Sequence, residues 1–108
     1  MSRRVRVLVY VRLPDGDPDG VTRAYHRVSR ELAGTAGLLG NELLRSVHDP
    51  REFAVLSEWE SMAAFRAWER TAAHRRTTAP LRPYQDRTRG PGFAVYAVEA
   101  AYPKETDQ

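Results

Sequence analysis

The stretch GLLGNELLRSVHDPREFAVLSEWES, residues 37–61, decides how the chain folds. Two apolar segments, Leu38 to Val47 and Phe53 to Trp59, flank a turn at Asp49-Pro50-Arg51-Glu52. The second segment alternates. Phe53, Val55, Ser57 and Trp59 point one way, and Ala54, Leu56 and Glu58 the other, which is the period-two signature of a strand. The first does not alternate cleanly, which predicts a strand with contacts on both faces. The link is short, so the two strands should form an antiparallel hairpin.

Upstream, Arg4 to Leu13 reads as another strand, with Val5, Val7, Val9 and Val11 on one face and Arg4, Arg6, Leu8, Tyr10 and Arg12 on the other. The turn cluster PDGDPDG, residues 14–20, follows. Asp17 as N-cap and Pro18 as first helical residue predict a helix start. Val21, Tyr25, Val28 and Leu32 then form an apolar helical stripe that Gly34 terminates. Downstream, Ser61 is a candidate N-cap for a second helix whose apolar side carries Phe65, Trp68 and Ala72. Helical character should fade before Pro80. A short helical turn is expected over Leu81–Asp86, then a breaker at RTRGPG, then a last strand from Phe93 to Tyr102.

The order is therefore strand, helix, strand, strand, helix, strand. That is the ferredoxin-like βαββαβ arrangement of an α+β domain, a four-stranded antiparallel sheet with both helices on one face. Leu8, Tyr10 and other apolar residues on the opposite face need cover, which a second subunit packing sheet against sheet would supply. The length of 108 residues predicts one domain, residues 1–102, with 103–108 as a frayed tail.

The net charge of +3 rests almost wholly on arginine, since Lys104 is the only lysine. Fourteen acidic residues are interspersed and no basic run exceeds two, so no nucleic-acid partner is expected. The absence of cysteine excludes disulfides and thiolate chemistry and fits a cytoplasmic protein. Arginines interrupt the first apolar run, so no signal peptide is expected, and no stretch is apolar enough to span a membrane. No HxxxH or paired His/carboxylate spacing predicts a metal site, and no GxSxG elbow predicts a serine nucleophile.

With the hairpin above, the opening strand and VTRAYHRVSRELAG, the stretch WESMAAFRAWERTAAHRRTTAPLRPY resembles antibiotic biosynthesis monooxygenase domains. A tryptophan ends the third strand, an aromatic pair lies in the second helix, and a histidine follows near its end. The resemblance covers about Val5 to Ala100 and implies a dimeric α+β barrel with a pocket in each subunit between sheet and helices. It implies oxidation of a polycyclic aromatic polyketide to a quinone, with O2 as co-substrate and no metal, flavin or haem.

Trp68 matches the pocket-facing tryptophan of that family, and it also lies on a stripe that periodicity alone assigns to the core. His74 is the candidate base, because imidazole titrates near neutral pH. On a continuous helix it would lie about 120° around from Trp68, so that the two flank a groove rather than stack. Trp59 is read as scaffold, and His26 and His48 as surface residues. Phe65 and Leu44 are expected to wall the pocket, with Tyr25 also binding substrate. Quinone-forming members often carry an asparagine one turn before the tryptophan, where this chain has Ala64. Asn41, Tyr84 and Arg75 are the candidates to replace that polar group, with Asn41 or Tyr84 donating to a substrate oxygen. Haem-degrading members carry an asparagine on the first strand, where this chain has valines, Leu8 and Tyr10. Two other readings stand beside oxygenation: a non-redox polyketide cyclase or isomerase on the same barrel, and a non-catalytic ligand-binding dimer.

Overall fold

The computed structural model describes residues 3–88 and 90–103; most of the expected tail, residues 104–108, lies outside the described residues. The elements run β1 (Val5–Arg12), α1 (Gly20–Leu32), β2 (Leu38–Arg45), β3 (Glu52–Trp59), α2 (Met62–Glu69), α3 (Ala72–Thr78), a 3-10 helix (Ala79–Tyr84) and β4 (Phe93–Ala97). The strands form one sheet in the order β2-β3-β1-β4. Every pairing is antiparallel. This is the expected ferredoxin-like fold, with the second helix split in two.

Strand pairing explains which side chains are buried. Val5, Val7, Val9 and Val11 pair with Trp59, Ser57, Val55 and Phe53. Directly opposed residues share a face, so both sets look toward the helices. Val5, Val7, Val11, Phe53, Val55 and Trp59 are all buried there. From α1 come Val21, Ala24, Val28 and Leu32; Phe65 of α2 and Leu81 of the 3-10 helix complete the core. The other face carries Leu8, Tyr10, Ala54, Leu56, Leu44 and Tyr96, crossed by Arg6–Glu58 and Arg12–Glu52 ion pairs at 3.4 and 3.6 Å.

Strand β2 departs from simple alternation for a reason that hydropathy alone does not reveal. Leu38 pairs with Trp59 and Asn41 with Ser57, so three residues of β2 advance against two of β3. The irregularity between Leu38 and Gly40 is a bulge that reverses the parity of the strand. Leu38, Asn41 and Leu43 therefore all face the helices. Leu44 pairs with Ala54 on the outer face and is 40% exposed. The missing alternation comes from this bulge.

Two further departures concern element ends. Helix α1 begins at Gly20, and its N-cap is Asp19 without a side-chain cap bond, not Asp17. Asp17 is engaged otherwise: Arg23 donates to one carboxylate oxygen at 3.0 Å and the Tyr84 hydroxyl to the other at 3.1 Å. The last strand stops at Ala97 instead of Tyr102. Ahead of β4 in the chain, Gln85 bridges to Val11 and the Asp86 amide donates to the Tyr10 carbonyl at 2.8 Å, so the 3-10 helix is tied to the end of β1.

Gly20 is needed for close approach. A Cβ there would collide with the Asp17 carboxylate and the Tyr84 hydroxyl. Gly20→Ala should push these groups apart and destabilise the domain by about 1–3 kcal/mol, the usual range for overpacking. Urea denaturation of the variant checks this, with unchanged stability as the contrary result.

Candidate functional site

A cavity of about 250 Å³ lies between the helix-facing side of the sheet and the helices. Its floor crosses all four strands. One row is Asn41, Ser57 and Val7; the next contains Val55, Val9 and Phe93. Three interstrand spacings of about 4.8 Å make the floor roughly 14 Å long. Above it lie Val28, Ser29 and Leu32 from α1 and Phe65 and Trp68 from α2. His74 and Thr78 of α3, with Leu81, Arg82 and Gln85, close the far side. The walls are mostly apolar with a few polar groups, as small-molecule sites usually are.

The aromatic wall is a continuous stack. Trp59 meets Phe65 edge-on at 5.5 Å between ring centroids and Trp68 at 5.1 Å. Trp68 in turn meets His74 edge-to-face at 4.5 Å and 82°. The sequence-based geometry had the last two flanking a groove. They meet because the helix is interrupted. Helix α2 ends at Glu69 and a new N-cap forms at Thr71. The Thr71 hydroxyl donates to the Trp68 carbonyl at 2.7 Å and accepts from the His74 amide at 3.2 Å. One threonine closes the first helix and opens the second, and it turns the imidazole onto the indole. Threonine as N-cap is the signal in RTAAH that a reading based on apolar periodicity passes over.

His74 has no side-chain hydrogen bond within the described residues. Burial pushes its imidazole below the ordinary histidine range; the field of Glu69 opposes this, while those of Arg82 and Arg75 reinforce it. The ring is therefore neutral near pH 7, with a free nitrogen lone pair able to take a proton.

Asn41 stands at the β2 end of the floor with its amide oriented. Its Oδ1 accepts from the Tyr25 hydroxyl at 2.6 Å and from Ser29 Oγ at 3.1 Å. Tyr25 thus touches the site through Asn41 rather than lining the cavity. Three other sequence candidates lie outside the walls. Leu44 is on the outer face because of the bulge. Tyr84 is turned to Asp17, and burial followed by that carboxylate raises its phenol, which keeps it a proton donor to Asp17. Arg75 is exposed, and its carbonyl accepts from Arg82. Ser29, Ser57, Glu69 and Gln85 line the cavity without having been singled out in the sequence. Ser57 was legible in principle, since it shares the alternating face of β3 with Trp59.

Ala64 does not line the cavity either. It packs on the turn before β2, where a Cβ at Gly37 would collide with its own. Gly37 has a φ of +82°, which favours glycine in any case. A small residue at position 64 lets α2 seat against this turn.

The model of the family described as antibiotic biosynthesis monooxygenase matches residues 4–80, which include β1 to β3 and α1 to α3. The chain belongs to the antibiotic biosynthesis monooxygenase family. This monooxygenase-family domain is 34% identical to the protein SchA of Streptomyces halstedii over 92 residues, 85% of this chain and 24% of that protein. It is 35% identical over 78 residues to a 42.8 kDa protein in the whiE locus of Streptomyces coelicolor, covering 72% of this chain and 20% of that one. The chain thus spans about a quarter or less of the length of these relatives. Its fold matches SnoaB, a cofactor-independent oxygenase from Streptomyces nogalater, with a TM-score of 0.74 at 15% identity, over 96% of this chain and all of that one. Among the described residues no helix is long and apolar enough to cross a membrane, and no group of three or more His, Asp or Glu side chains could hold a metal.

The Trp68–His74 contact gives a direct reading of the imidazole's state, because an imidazolium quenches indole fluorescence more than neutral imidazole does. Fluorescence titration should show a quenching step with a midpoint below 6.5, the ordinary histidine value. His74→Gln should abolish the step. The folded state holds this proton less tightly than the unfolded chain, so the contribution to stability is present above the ordinary value and lost as pH falls through the folded one. A midpoint above 6.5 would contradict the burial argument.

Proposed function

We propose that this domain oxidises a polycyclic aromatic polyketide of the anthrone type to a quinone with O2, using no metal, flavin or haem. The observation that carries the reading is the apolar slot across the sheet, walled by Trp59, Phe65 and Trp68, with the neutral imidazole of His74 against one wall and the Asn41 amide at the other end. A flat fused-ring ligand fits such walls, because stacked and edge-on aromatic contacts favour it beyond area burial alone. Family membership, the relative in the whiE locus and the cofactor-independent oxygenase of like fold support the same reading.

The chemistry asks for binding, proton removal and stabilisation of an anion. The substrate CH2 group lies between two aromatic rings and is activated by a carbonyl across the ring. His74 takes one of its protons, leaving an extended aromatic enolate. Asn41 donates a hydrogen bond to the enolate oxygen. One electron passes from the enolate to O2, giving a substrate radical and superoxide. Their recombination forms a C–O bond, and the proton held on His74 returns to the peroxide. Loss of water from the hydroperoxide, using the second proton of the former CH2, leaves the ketone. The sum is substrate plus O2 giving quinone plus water.

We also propose that two copies pair through the outer sheet face, where Leu8, Leu56 and Tyr96 otherwise meet water. Burial of that face would complete the barrel the family resemblance implies.

Assays with 1,8-dihydroxyanthrone, with and without protein and with and without O2, test the activity. Protein- and O2-dependent quinone formation is expected. His74→Gln should lower kcat about 100-fold, the lower end for a general base, and Trp68→Ala should raise KM. Protein-dependent conversion without O2 uptake would point instead to a cyclase or isomerase. No conversion across several polyketide anthrones would sink the oxygenase reading.

A further inference from the structure

Asn41 and Ser57 are directly paired across β2 and β3, and both line the cavity. Residues so paired have Cβ atoms about 4.5–5.5 Å apart, close enough for both side chains to reach one ligand atom. The hydrogen-bond polarity of each is set by neighbours. Asn41 Oδ1 already accepts from two hydroxyls, Tyr25 at 2.6 Å and Ser29 at 3.1 Å. The amide oxygen is thereby occupied, and its NH2 has no partner among the described residues. Ser57 Oγ accepts from Trp59 Nε1 at 3.0 Å. Trp59 is 1% exposed, so its indole N–H depends on that acceptor. With its oxygen so engaged, the Ser57 hydroxyl keeps its own hydrogen to donate.

We infer that Asn41 Nδ2 and Ser57 Oγ form a two-donor cradle for an oxyanion at the β2 end of the cavity. Tyr25, Ser29 and Trp59 act as positioning residues that force both side chains to present hydrogens. The cradle selects ligands that carry a phenolate, enolate or carbonyl oxygen at one end of a flat aromatic frame. It disfavours ligands that place an N–H or an aliphatic carbon there. The charged side chains that line the same cavity, Glu69 and Arg82, lie outside the pair. In the oxygenation proposed above, on which this inference rests, the cradle would hold the enolate oxygen and so favour the ionised substrate. Preorganised donors in a site of low polarity act in this way because they need no reorientation as charge develops.

A probe that cannot be oxidised separates binding from turnover. The phenol of 2-hydroxyanthraquinone changes colour on ionisation, and anthraquinone itself has no ionisable oxygen. Both are titrated against the protein. Anthraquinone should bind the slot. The phenol pKa of the bound hydroxy compound should fall by about one unit or more, a roughly tenfold preference for the phenolate. Asn41→Asp keeps an acceptor for Tyr25 and Ser29 but replaces the NH2 by a carboxylate oxygen. It should turn the shift upward. Ser57→Ala should shrink the downward shift, and Tyr25→Phe, which removes one of the two hydroxyls that donate to Asn41 Oδ1, should shrink it too. Ser57→Ala strands the buried indole N–H, so Asn41→Asp is the decisive variant if the alanine fails to fold. If anthraquinone does not bind, the aromatic slot reading fails and this inference with it. If anthraquinone binds but the phenol pKa is unshifted, or shifts alike in wild type and Asn41→Asp, the cradle alone is overturned.

Discussion

The site depends on one extra residue in an edge strand. Between Leu38 and Gly40, β2 advances one residue further than β3, and every side chain after that point changes face. Side chains alternate strictly along a strand, so a regular register after Leu38 would turn Asn41 and Leu43 outward and bring Leu44 in. The cavity would then lose the Asn41 amide and gain only another aliphatic wall. The bulge thus decides whether Asn41 joins Ser29 and Ser57 at this end of the cavity. Bulges are common at sheet edges and beside active sites, where they re-aim side chains in this manner.

A second irregularity does the same on the helical side. Thr71 ends α2 and caps α3, and the imidazole of His74 comes to rest against Trp68. The small pair Gly37 and Ala64 then lets α2 lie close to the turn leading into β2. An asparagine at position 64 would meet that turn rather than the cavity. In this chain the polar group of the slot comes from the sheet and is held by α1 through Tyr25 and Ser29. The floor and the roof of the cavity are therefore joined by the same hydrogen bonds that orient the amide.

The strands and their pairing were legible because burial on one face imposes period two, as in Val5 to Val11 and Phe53 to Trp59. Helix α1 was legible for the parallel reason, an apolar stripe at helical spacing. Its start was missed because Asp17, a good N-cap by residue type, is taken by Arg23 and Tyr84. Phe65, Trp68, His74 and Asn41 do meet at one cavity. Leu44 does not, because its face depends on a bulge, and a bulge is set by hydrogen-bond register rather than hydropathy. Arg75 and Tyr84 were candidates by residue type alone, and their side chains are turned elsewhere. The alternation of β3 gives the face of Ser57 but not its role, which depends on the indole N–H that donates to its oxygen.

A flat aromatic ligand should lie in this slot with an oxygen at Asn41. Intermolecular nuclear Overhauser effects between bound anthraquinone and assigned side chains test it most directly. Contacts from ligand ring protons to the indole of Trp68 and the ring of Phe65 are expected, with the Asn41 side-chain amide protons shifted on binding and the Leu44 methyl resonances unmoved. Contacts to Leu44 and the outer face, with Asn41 and Trp68 undisturbed, would contradict it.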